Sequence, residues 1–172
     1  MASINIDNYD IDTEALRLVE LLQGVLERVE SVFVSHGVPL PARRYWTVGV
    51  PAVDCEQLTV SFVDGYLGAP GDQASMPLRC NVPRSVNMSI ELSRPVPVVG
   101  QNGQTPSAQV IQDASRIALV DSWVLLTAIN LLDVWDEDLG AFSGPGVIAT
   151  VQISGVEGGY MVTSMRVTMA VP

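Results

Sequence analysis

At 172 residues the chain is long enough for one domain with a buried core and short for two that fold separately. Charged residues make up 16% against a typical quarter and hydrophobic residues reach 48%, with mean hydropathy +0.30; a lone monomer is short of polar cover, and a sizeable subunit interface is the simplest remedy. Nineteen acidic against nine basic residues give net charge -10, which excludes general adhesion to nucleic-acid phosphates or to anionic membrane because both are repelled at long range.

In chain order, residues 1–11 carry Asp7 and Asp10 with little apolar periodicity and read as an arm. Asp12 is placed to cap a helix, and Leu18, Leu22, Val25, Val29 and Val32 then recur at four- and three-residue steps, predicting an amphipathic helix of about 22 residues. Gly37 closes it, and Pro39 and Pro41 prevent its continuing. Three strands are predicted next. The first runs over Arg43–Val50 between two prolines; the second has Leu58, Val60 and Phe62 alternating with Thr59 and Ser61; the third has Val86, Met88, Ile90 and Leu92 alternating with polar residues.

Between the second and third lies 64–83, a long loop rich in Gly and Pro. A connection of that length usually has a task, so it is the first place to expect a contact surface. After Pro95 and Pro97, Thr105 as cap and Pro106 at the first helical position predict a second helix reaching about Trp135, apolar around most of its circumference between Ile117 and Leu132. Asp121, Asn130 and Asp133 interrupt its apolar run, so it is expected to be a buried helix rather than a membrane span. The chain ends in two alternating runs, from Val147 and from Met161, turned by Gly155–Gly159 and read as a hairpin. The expected fold is therefore a single α+β domain: a mostly antiparallel sheet packed by an amphipathic helix and a long apolar one, with a C-terminal β-hairpin.

No catalytic constellation emerges, and the chain is not expected to be an enzyme. His36 is the only histidine, which excludes multi-histidine metal sites, and it sits where a helix end makes an imidazole ordinary. Cys55 and Cys80 are too few for a disulfide framework and read as reduced, partly buried thiols. No nucleophile elbow, zinc-protease helix or phosphate-cradling glycine loop occurs, and no cofactor is expected. No basic start followed by an apolar core opens the chain, so no secretory signal is expected.

The densest charge feature is Asp133, Asp136, Glu137 and Asp138, toward a helix carboxyl end where negative charge is mildly disfavoured. It reads as a solvated helix end, as an interface or channel surface, or as a site for a hard cation, although the EF-hand spacing is missing. Arg43 and Arg44 stand beside Tyr45 and Trp46, a set able to stack on bases; on so acidic a chain they read instead as a strand flank facing acidic groups of a neighbouring subunit. With these residues, Asp64, Asp72 and Arg79 of the long loop complete the candidate interface or lumen set.

The run Ile90-Glu-Leu-Ser-Arg94-Pro-Val-Pro97, followed by a helix carrying Ala114, Ala118 and Asp121-Ser-Trp123, resembles the tail terminator and related neck proteins of long-tailed phages of actinobacteria. The order of helix, strands, helix and hairpin and the run Cys55-Glu-Gln-Leu58 extend the likeness over residues 12–171. All nine basic residues are Arg, which suits a GC-rich genome. The resemblance implies a virion protein, assembled in the host cytoplasm, that forms a homohexameric ring at the head-proximal end of the tail tube. Its implied partners are itself, the tail tube protein, the head connector or stopper, and double-stranded DNA that slides through the lumen without specific binding; no membrane is implied. The alternatives are another ring component, such as a stopper or a tube subunit, a soluble oligomer that binds a protein, and an enzyme with a site around Asp133–Asp138 and His36.

Overall fold

The computed structural model describes residues 13–71, 84–99, 103–130 and 147–171. Two helices and five strands follow in the order α1 (Thr13–Ser35), β1 (Arg43–Val48), β2 (Gln57–Leu67), β3 (Arg84–Pro95), α2 (Ala108–Asn130), β4 (Ile148–Glu157) and β5 (Tyr160–Val171). The fold is α+β, and no helix among the described residues is long and apolar enough to cross a membrane. The residue 1–11 arm, Asp12, Cys80, Asp72, Arg79 and the cluster Asp133, Asp136, Glu137 and Asp138 lie outside the described residues.

The strands form one sheet in the order β1-β2-β3-β5-β4. It is mixed rather than purely antiparallel, because β1 runs parallel to β2 while the other three pairings are antiparallel. Parallel neighbours ordinarily need a crossover of a dozen or more residues, often a helix. Here residues 49–56 alone carry the chain back, a span that eight nearly extended residues cover at about 3.3 Å each. Gly49 starts the return with φ of 78°, a left-handed conformation unfavourable for other residues. That turn ends β1 two residues before the Val50 expected from the sequence.

Side-chain bonds hold the return segment where a helix would otherwise pack. Gln57 Nε2 donates to the Ala52 carbonyl at 2.6 Å, Ser93 Oγ to the Cys55 carbonyl at 2.7 Å, and Arg43 to Asp54 at 2.8 Å. Beyond it, β2 continues through Asp64, Gly65, Tyr66 and Leu67, four residues expected to begin the long loop. A register shift between Phe62 and Asp64 admits one extra residue at Val63, so pairing with β3 survives Gly65.

The alternation of β2, β3 and β5 sorts side chains to two faces. Leu58, Val60, Met88, Ile90, Leu92, Met165 and Val167 point to one face and are fully buried beneath the helices. From α1, Val25, Val29 and Phe33 close onto them; from α2, Val124, Leu125 and Ala128 do the same. Each large side chain so buried contributes about 1.5–3 kcal/mol. The opposite face is a field of Ser, Thr, Asn and Gln, including Thr59, Ser61, Asn87, Ser89, Ser164 and Gln152.

Helix α1 contacts β1 and β2, α2 contacts β4 and β5, and the helices touch each other. The carboxyl end of α1 closes with Val38 N donating to the Phe33 carbonyl and Gly37 N to the Val34 carbonyl, both at 3.0 Å, the Schellman arrangement. Helix α2 begins two residues later than Thr105–Pro106 suggest: Ser107 Oγ accepts from Val110 N at 3.4 Å, making Ser107 the cap. β4 and β5 are joined by Gly158–Gly159, with φ of 58° and 85°; positive φ at both central residues is what a tight two-residue turn between antiparallel strands requires.

Candidate interaction surface

The carboxyl end of β3 and the middle of α2 are tied by one guanidinium. Arg94 donates from Nε and a terminal nitrogen to both oxygens of Asp121, at 2.7 and 3.0 Å, from its other terminal nitrogen to Glu56 at 2.9 Å, and to the Pro39 carbonyl at 2.7 Å. Three other stretches of chain therefore meet on Arg94, whose side chain is 13% exposed against 2% for Asp121. Burial acts first on both groups. It pushes the Asp121 carboxyl up from its ordinary range, against the lowering effect of Arg94. On Arg94, burial is outweighed by hydrogen bonds and charge from Asp121 and Glu56, so its pKa is raised. Two of the runs that carry the sequence resemblance, around Arg94 and around Asp121, are thus joined by this pair.

The clamp fixes the rotation of α2, and that decides which residues face outward. Asp121, Val124, Leu125, Ala128 and Ile129 are turned inward. The opposite side presents Leu119 at 63% exposure and Trp123 at 70%, with Val120 beside them. Residues 108–117 pack even less, since Val110, Ile111 and Ile117 are all exposed and the first buried position is Ala118. An indole with most of its surface in water, on a helix already apolar inside, marks a contact surface better than a scattered exposed Leu does.

A second apolar group stands at the β1 edge. Val48 is 71% exposed, Val50 reaches 88%, and Val53 follows on the return segment. Beside it, Arg43 pairs with Asp54 at 2.8 Å and lies 3.3 Å from Cys55 Sγ, while Arg44 pairs with Glu30 at 3.0 Å and donates to the Pro41 carbonyl at 2.8 Å. The hydrogen bond to Cys55 and the charge of Asp54 raise the Arg43 pKa. The acidic partners expected for these arginines are thus supplied by the chain itself. Arg44, Tyr45 and Trp46 also line a shallow cleft against Gln23, Leu26 and Glu30 of α1.

Asp64, the remaining described candidate, accepts from Asn87 Nδ2 at 2.6 Å on the polar sheet face. His36 Nδ1 lies 2.9 Å from the Val32 carbonyl at the end of α1. Among the described residues, no three His, Cys, Asp or Glu side chains gather into a possible metal site. Sequence reasoning missed Trp123 as a surface residue because its helix reads as apolar nearly all round, and it missed Val48 and Val50 because both fall inside the predicted strand Arg43–Val50.

The arrangement defines a mixed-sheet α+β domain with two exposed apolar groups. Compared with known proteins, the chain matches no family model and no curated protein sequence.

Proposed function

We infer that this chain is a structural subunit of a phage tail, a tail terminator that closes into a homohexameric ring on the last ring of the tail tube and presents its other face to the head connector. The observation that carries the reading is the exposed Leu119–Trp123 surface of α2, on an acidic domain with too little charge to remain comfortable alone. The resemblance around Arg94 and around Asp121-Ser-Trp123 supports the same assignment. The mechanism is geometric: one face pairs with the tube, and the other cannot accept a further tube subunit. The net charge of -10 keeps DNA from adhering as it passes, since phosphates are repelled by the surface they slide along.

The test is elongation of purified tail tubes in the presence of this protein. Tubes capped at one end, whose growth stops at substoichiometric protein, are the expected result. Incorporation of the protein along the whole tube assigns it to the tube itself, and undiminished growth with no end density contradicts the reading.

A further inference from the structure

Strand β1 ends the sheet, so among the described residues one of its edges has no strand beside it. Backbone groups alternate between the two edges of a strand, and Gly49 N donating to the Phe62 carbonyl at 2.8 Å sets the phase. Tyr45 and Thr47 turn their N–H and C=O toward β2, while Arg44, Trp46 and Val48 turn theirs outward. Water serves such groups, and so does an added strand.

A helix stands beside this edge. Glu30 of α1 pairs with Arg44 at 3.0 Å, and Leu26 and Trp46 line the cleft of about 380 Å³ between the two elements. Since α1 leads into β1 through residues 36–42, helix and strand run antiparallel. The same stripe of α1 continues toward its start through Gln23, Val19 and Leu16 at helical spacing, and Leu16, Val19 and Val48 are all exposed. An unpaired strand edge beside a partly apolar cleft is a geometry that takes an extended peptide: main-chain hydrogen bonds hold it, and alternate side chains enter the cleft.

Charge narrows the occupant. Glu20 and Glu27 flank Gln23 on the outer lip of the cleft, both exposed, and among the described residues neither has an arginine partner. A basic segment is attracted there and an acidic one repelled. This chain, with nineteen acidic and nine basic residues, is poorly made to supply one. We propose that β1 takes an added strand from a different protein, an extended segment of net positive charge with apolar side chains at every second position. Those side chains seat against Leu26 and Trp46, and the cations reach Glu20 and Glu27. The site does not depend on the ring reading above.

The probe is the peptide Lys-Thr-Val-Thr-Val-Thr-Val-Thr-Lys, which as a strand carries its valines and both lysines on one face. Amide hydrogen exchange of the whole protein is followed by NMR with and without it. The amides of Arg44, Trp46 and Val48 are expected to exchange at least about tenfold more slowly with the peptide, while those of Tyr45 and Thr47, already turned to β2, do not change. The same peptide with Glu in place of both Lys is expected to bind at least about tenfold more weakly, and Glu20→Gln with Glu27→Gln to remove that difference. Both positions are exposed, so the double variant is expected to keep the wild-type melting temperature. No protection up to the solubility limit of the peptide, or protection without the alternation, overturns the added strand. Equal binding of the two peptides to the wild type overturns the basic partner. Protection of Arg44, Trp46 and Val48 already present in the free protein means that this chain or a second copy covers the edge, and it overturns the proposal as well.

Discussion

Asp121 is nearly sealed from water, and Arg94 binds both of its oxygens. Its raised pKa means that ionising it costs more in the folded chain than in the unfolded one, so its own contribution to stability declines as pH rises through the carboxylate range. The raised pKa of Arg94 works the other way: its contribution is fully present below the ordinary arginine pKa and is lost only as pH rises through the folded value. Removing one partner leaves a buried unpaired charge. Arg94→Met, which strips the nearly sealed Asp121 carboxylate of its cation, is therefore expected to lower unfolding free energy by about 3–5 kcal/mol in urea melts, while the double change Asp121→Leu with Arg94→Met recovers most of that loss. A double variant no more stable than the single one contradicts this account. Neither partner was legible as such from the sequence. Asp121 read as a break in an apolar helix and Arg94 as part of a short text match, because a contact across 27 residues leaves no periodic trace.

At the scale of elements, alternation and helical spacing made most of the fold readable. Leu58, Val60, Ile90 and Leu92 announce their inward face, and Val25, Val29 and Val32 announce theirs, because one-sided burial imposes a period of two on strands and about 3.6 on helices. What stayed hidden depends on neighbours in space. The parallel pairing of β1 with β2 rests on Gly49 and on hydrogen bonds from Gln57 and Ser93, none of which changes the local pattern. Strand order was also open, since β5 inserts between β3 and β4 only once α2 has crossed the sheet. The outward side of α2 escaped a reading of composition, which cannot tell an apolar side that meets a partner from one that meets the core.

That side of α2 carries its own prediction. Amides of residues 108–117, all exposed except the half-buried Ala114, are expected to exchange hydrogen fast in the monomer and more slowly by at least about tenfold once rings form. Amides of 121–129, already pinned by the Arg94 clamp and the core, are expected to change little. Equal protection of both halves in the monomer contradicts the view that the first half waits for a neighbour.

For the whole molecule, the central claim is that an acidic domain with surplus apolar surface completes itself by joining copies of itself in a closed ring. The surplus is 48% hydrophobic against 16% charged residues, and among the described residues exposed apolar side chains stand on α2 and at the β1 edge as well as on α1, β2, β4 and the segment after β3. Of these, the α2 group with its exposed indole is the strongest contact surface. The most direct measurement is the mass of the purified protein by light scattering across a concentration series, paired with negative-stain images and repeated with tail tubes present. The account predicts closed rings of about six subunits with a central hole, either free or formed on tube ends. Open-ended filaments, or a compact dimer indifferent to tubes, would contradict it.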